Sequence, residues 1–193
     1  MRSLVLVWVF ASGAALADPL PDALIAALSG DWNGDEMPDA VFLVQGADDT
    51  ADIRVFGGGF RGLEPQFTVP GAVYAGPWGG QAPGLVALSD SSFAITSEQT
   101  GIGPTPWMQR IMVAYRDGGF VVAGYTYDFY DRLDPEHYGT CDVNLLSGDY
   151  TLSRMTSDGT APLNISGGGA AQGFALQDLT AGYVAPQCEA LFR

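Results

Sequence analysis

WMQRIMVAYR at 107–116 and GFVVAGYTY at 119–127 flank Asp117-Gly118, and the reading of this stretch decides the fold. Asp-Gly is a favoured two-residue hairpin turn because both central residues need positive φ, which glycine adopts freely and aspartate tolerates. Counting outward from the turn sets Tyr115 opposite Phe120, Val113 opposite Val122 and Arg110 opposite Tyr125. Side chains alternate along a strand, so Trp107, Ile111, Val113, Tyr115, Phe120 and Val122 belong to the buried face. Met108, Arg110, Met112, Tyr125 and Tyr127 fall on the other face, a mixture suited to partial exposure or cover by a loop.

On either side the chain also reads as β. Leu85 to Leu88 and Phe93 to Thr96 flank Ser89-Asp90-Ser91-Ser92, a second hairpin. Ala40 to Val44 is apolar without alternation, as in a central strand covered on both faces. Asp52 to Phe56 alternates and is expected to end at Gly57-Gly58-Gly59. Residues 60–83, rich in Gly, Pro and aromatics, read mainly as loop with short strands near Phe67 and Val73. Thr140 to Leu146 is another strand, closed by Ser147-Gly148. One helix is expected, Pro21 to Leu28, with Asp22 in its first turn and Leu24, Ile25 and Leu28 on one face. The fold class is therefore one mainly antiparallel β domain with a short N-terminal helix. Blades would repeat, and no repeat is visible, so a complete propeller is not expected.

Between that helix and the central strand lies Asp31-Trp32-Asn33-Gly34-Asp35-Glu36-Met37-Pro38-Asp39. Oxygen-bearing side chains at its first, third, fifth and ninth places, with the Met37 carbonyl between them, match calcium's preference for six to eight hard oxygens in irregular geometry. Magnesium would demand a stricter octahedron, and zinc would demand His or Cys, which the loop lacks. The competing reading is an Asx-rich turn capped by its own side chains. The twelfth place is Phe42 and a strand follows, so this is not a helix-loop-helix calcium hand.

The loop resembles the DxDxDGxxD-type calcium loop of FG-GAP repeats in integrin-like propellers. The order from residue 22 to 150 extends that likeness through Trp107, Tyr-Arg-Asp-Gly at 115–118 and Cys141-Asp-Val-Asn-Leu-Leu-Ser-Gly148. It is similar to exported bacterial proteins that carry a single FG-GAP/VCBS-like loop. The resemblance implies a compact β-rich envelope domain and points to no known catalytic activity. Glu36 stands where such loops have glycine, and a left-handed non-glycine residue there costs about 1 kcal/mol.

The first seventeen residues have the form of an export signal: Arg2, an apolar run from Leu4 to Phe10, and the small-x-small site Ala15-Leu16-Ala17. The apolar run is short for a membrane span. Residues 18–193 are then one domain, large enough for a proper core. Two cysteines in an exported chain favour one disulfide, Cys141 to Cys188, over two buried thiols, and the location is periplasmic or secreted. All eight cations are arginine and face 22 acids, a formal charge of −14. That surface repels nucleic-acid phosphates and anionic membranes.

No nucleophile elbow and no phosphate-binding glycine loop is present. The lone histidine, His137, sits among Asp128, Asp131, Asp134 and Glu136. This cluster reads either as a solvated loop or as the acid–base group of a small hydrolase. Tyr125, Tyr127, Phe129, Tyr130 and Tyr138 lie close by. They either plug the end of the core or form a binding surface for a protein or glycan. The leading expectation is a calcium-stabilised exported domain with a binding role. A small hydrolase and a structural envelope protein are the alternatives.

Overall fold

The computed structural model describes residues 23–192. Residues 1–17, expected to be an export signal, lie outside them, as do Pro21 and Asp22 of the expected helix. Strands β1 (Leu24–Gly30), β2 (Asp39–Gln45), β3 (Thr50–Gly59) and β4 (Gly62–Tyr74) form one antiparallel sheet in chain order. The second sheet is also a meander: β5 (Gly84–Ser89), β6 (Ser92–Gln99), β7 (Trp107–Arg116), β8 (Gly119–Tyr130), β9 (Tyr138–Asn144), β10 (Tyr150–Met155) and β11 (Leu163–Gly167). A two-residue strand, β12 (Phe174–Ala175), pairs with Val121 and Val122 of β8. Two 3-10 segments, Leu176–Asp178 and Pro186–Phe192, end the described chain. The sheets close into neither a barrel nor a propeller.

One core lies between them, with Val41, Leu43, Ile53 and Val55 from the first sheet meeting Phe93, Ile95, Ile111, Val113 and Val122 from the second. On β2, Ala40 and Val44 are buried on the opposite side from Val41 and Leu43, as expected of a central strand. The Asp117-Gly118 turn has φ of 49° and 85°, the doubly positive pair its sequence requires. The Ser89–Ser92 hairpin also forms where expected.

Three expectations are corrected. The segment expected to be an N-terminal helix is strand β1 over its described part, paired with β2 from Leu24↔Val44 to Gly30↔Asp39. Leu24, Ile25 and Leu28 suit a helix face, but pairing to an apolar central strand outweighs so short a helical pattern. The glycine run does not end β3: Gly57, Gly58 and Gly59 pair with Glu64, Leu63 and Gly62. Much of the supposed loop at 60–83 is consequently the thirteen-residue strand β4. Glycine is needed at 58, where a Cβ would stand 2.5 Å from the Met37 Cβ.

The third correction concerns the central hairpin. Tyr115↔Phe120 and Val113↔Val122 pair as counted, but the register then shifts and Met112 pairs with Gly124. Ala123 is an extra residue on β8, a β-bulge. Beyond it Tyr125 stands opposite Ile111, and Arg110 stands opposite Thr126. One residue of slip exchanges the faces of a strand. Tyr125, Tyr127 and Phe129 therefore turn inward with Ile111 and Val113.

The disulfide is present between Cys141 and Cys188, 47 residues apart. Both residues are fully buried, and the bond fastens the last 3-10 segment to β9. Closing a loop of that length stabilises by roughly 4 kcal/mol.

Candidate functional site

Two places in this fold carry chemistry, the loop between β1 and β2 and a cleft beside the disulfide.

The loop is anchored at both ends. Trp32, 3 % exposed, packs its ring 5.0 Å from Phe93 and 6.2 Å from Phe120, so the second loop residue belongs to the core. Asp39, 1 % exposed, accepts hydrogen bonds from the Trp32 N–H at 3.2 Å and the Gly58 N–H at 3.0 Å, one on each oxygen. Between these anchors the polar side chains cap the turn. Asp31 Oδ1 accepts from the Gly34 and Asp35 amides, and its Oδ2 from the Glu36 amide. Asn33 Oδ1 accepts from the Asp35 amide. Asp35 Oδ1 accepts from the Met37 amide and Oδ2 from Asn33 Nδ2. Gly34 and Glu36 both take positive φ, 75° and 67°. Glu36 thus adopts the left-handed geometry for which such loops usually carry glycine.

The donors fit calcium in kind, all being hard oxygens. In lone-pair terms, Asp31 Oδ2, Asn33 Oδ1 and both Asp35 oxygens each accept one hydrogen bond and retain capacity for a second partner. Convergence is a separate matter. Among the described residues no three Asp, Glu, His or Cys side chains gather where they could hold a metal ion. Asp31 and Asn33 also border an open groove of about 820 Å³, whose far wall is the β5–β6 turn with Ser89, Asp90 and Ser91.

The cleft, about 590 Å³, is walled by Trp107 from β7 and Tyr127 and Phe129 from β8. Arg154 of β10, the following segment with Thr156, Asp158 and Thr160, and Leu191 and Phe192 complete it, with His137 at its margin. The Trp107 and Tyr127 rings lie 6.0 Å apart and only 19° from parallel, and Phe192 stands edge-on to Tyr127 at 5.1 Å. Cys141 is the β9 partner of Tyr127, so the disulfide brings the C-terminal segment to this wall. Arg154 Nη1 donates to the Ala190 carbonyl and helps to hold it there. Asp158 Oδ1 accepts from Thr156 Oγ1 at 2.8 Å and the Thr160 N–H at 2.9 Å. Hydrogen bonds from the Thr160 side chain and amide, and then from Thr156, hold its carboxyl down at about 2, so it is charged at any ordinary pH.

Beneath the cleft is a satisfied polar network. Gln109 accepts from Ser97 Oγ and donates to the Tyr125 hydroxyl and the Tyr183 carbonyl. Tyr125 is fully buried, which removes it from any surface. Tyr127 is half-buried and opens on the cleft. Tyr130 and Tyr138 are exposed at 42 % and 44 % and pair across strands on the opposite face of the sheet. The expected tyrosine cluster is thus divided among core, cleft and outer face. Around His137 the acids mostly cap turns: Asp131 accepts from the Leu133 amide, and Asp134 from the Glu136 amide and Ser157. His137 Nδ1 lies 3.7 Å from Asp131 Oδ2.

Arg154, Asp158, Thr160 and Phe192 were not singled out by sequence reasoning. Their one sequence signal was Cys188, which brings Phe192 near β9 once the disulfide is drawn.

Burial pushes the phenols of Tyr125 and Tyr127 up to about 12. Their contribution to stability is complete below the ordinary value of 10 and is lost as pH climbs through about 12. An ultraviolet phenolate titration should show a late component near pH 12, coincident with alkaline unfolding. Complete ionisation by pH 11 with the fold intact would contradict that burial.

Comparison with models of known protein families, with curated proteins and with solved structures returned no match. Among the described residues no helix is long and apolar enough to cross a membrane.

Proposed function

We propose that this chain is an exported β domain, stabilised by calcium, that binds a ligand in the cleft over Trp107 and Tyr127. The observation that carries the binding role is the cleft itself. Near-parallel aromatic rings form one wall, an upright Phe192 a second, and an oriented carboxylate, a guanidinium and hydroxyls lie among them. Sites for small ligands combine apolar walls with a few placed polar groups in this manner. The partner is a protein or a glycan. Export, to the periplasm or beyond the cell, is supported by the buried disulfide and the form of residues 1–17. Trp107→Ala and Tyr127→Ala should abolish ligand-induced changes in tryptophan fluorescence while the protein stays folded.

Calcium is assigned to Asp31, Asn33, Asp35 and the Met37 carbonyl, with Asp39 as the buried end of the loop. To hold the ion, Asp31 and Asp35 would turn from the amides they cap. An ion that binds only the folded state stabilises by mass action, about 2.7 kcal/mol at a hundred times its dissociation constant. Calcium should therefore raise the melting temperature by several degrees, and Asp35→Ala should remove most of the gain. A melting curve indifferent to calcium and to chelator would overturn the assignment.

Hydrolysis is the second reading, and one observation favours it: His137 borders the cleft with Asp131 beside it. Turnover of a glycoside or ester that disappears in His137→Asn would promote it over simple binding.

A further inference from the structure

The cleft proposed above as the binding site has the chemistry of a sugar seat, and this deeper reading rests on that proposal. A pyranose ring is amphipathic. Its C–H faces are apolar, and its hydroxyls project around the edge, roughly in the plane of the ring. A site for it needs a flat apolar floor and polar groups of both kinds at the margin. Trp107 and Tyr127 are stacked on each other, 6.0 Å apart and 19° from parallel on neighbouring strands, and the outer face of this stack supplies the floor. Phe192, 67° from the plane of Tyr127, forms an end wall.

The margin holds acceptor and donor together. Asp158 has Oδ1 fixed by Thr156 and the Thr160 amide, and its carboxylate stands exposed at the opening. Arg154, Thr105 and His137 add donors around the same opening. The cleft volume, about 590 Å³, falls within the range of small-ligand sites.

The same residues count against other ligands. An anionic ligand would meet the charged Asp158 on a protein of formal charge −14. An organic cation would find aromatic faces but also the Arg154 guanidinium in the same cleft. A peptide added as a strand needs an open sheet edge, and neither β5 nor β11, the edges of this sheet, lines the cleft.

We infer that the ligand of this cleft is an uncharged carbohydrate, seated with a ring face on the Trp107–Tyr127 stack and with hydroxyls on Asp158 and Arg154.

The test is a screen of the disulfide-intact protein on an array of neutral glycans, including cellobiose, maltose and N,N′-diacetylchitobiose. Hits are then titrated by tryptophan fluorescence. Tetramethylammonium and a random peptide pool are run beside them. At least one neutral glycan should bind, with affinity unchanged between low and high salt. Asp158→Asn and Phe192→Ala, both at exposed positions, should weaken it roughly tenfold without moving the thermal midpoint. If only the peptide pool or tetramethylammonium binds, and Trp107→Ala abolishes it, the carbohydrate inference is wrong while the cleft stands as a binding site. If no probe binds, both the inference and the binding role fail.

Discussion

Replacing Val113 by Asp should leave no folded protein under ordinary conditions. Val113 is completely buried at the centre of β7, opposite Phe93 on β6 and Val122 on β8. The substitution loses the transfer free energy of a buried valine, roughly 1.5–3 kcal/mol. It also places a carboxylate among apolar side chains, which costs several kcal/mol more whether the group stays charged or takes up a proton. Together these approach the whole stability of a domain this size, about 5–15 kcal/mol. Tyr127→Ala is the informative comparison. Tyr127 is half-buried on the cleft wall, so its truncation should cost roughly 2–3 kcal/mol, below the 3–5 of a fully buried aromatic residue. Urea titration followed by circular dichroism should show a cooperative transition for Tyr127→Ala and none for Val113→Asp. Equal damage from both would make Tyr127 a core residue and deprive the cleft of its floor.

What could be read in the sequence depended on the range of the interactions. The Asp117-Gly118 turn and the two pairs nearest to it are local, and they were legible because the turn type is set by its own residues. The bulge at Ala123 was not legible. Val121-Val122-Ala123-Gly124-Tyr125 looks like an uninterrupted strand, and only the demand that Tyr125 join Ile111 in the core selects the slip. Gly124 was a faint hint, since a Cβ there would stand 2.6 Å from Met112 Cε. At Gly57 to Gly59 a general rule misled: glycine reads as a break, whereas here the strand runs on and needs glycine at 58 because Met37 of the Asp31–Asp39 loop lies against it. The loop itself was legible as a turn rich in oxygen. That its ninth residue, Asp39, is buried and takes amides from both Trp32 and Gly58 depends on β3, nineteen residues away. The cleft was half legible. Tyr127 and His137 were noticed, but Arg154, Asp158 and Phe192 reach it through sheet order and the disulfide, which no local pattern encodes.

Deleting Ala123 should leave the domain folded, which makes it the sharpest test that this residue is the extra one. With the Asp117-Gly118 turn and the Val113↔Val122 pair kept, Gly124 follows Val122 directly, so Met112 still faces Gly124 and Ile111 still faces Tyr125. Tyr125 and Phe129 stay buried, and Tyr127 keeps Cys141 as its β9 partner. What the deletion removes is the Ala123 carbonyl, which accepts the Leu145 amide at 2.9 Å. Leu145 is fully buried, and an amide left unpaired there costs about 1–3 kcal/mol. Ala123→Gly keeps that carbonyl and should be destabilised by no more than about 1 kcal/mol. The expected result is a cooperative thermal transition and native near-ultraviolet circular dichroism for both variants, with the lower midpoint in the deletion. A deletion variant with no cooperative transition would show that the bulge itself, and not only the pairs on either side of it, holds β8 in place.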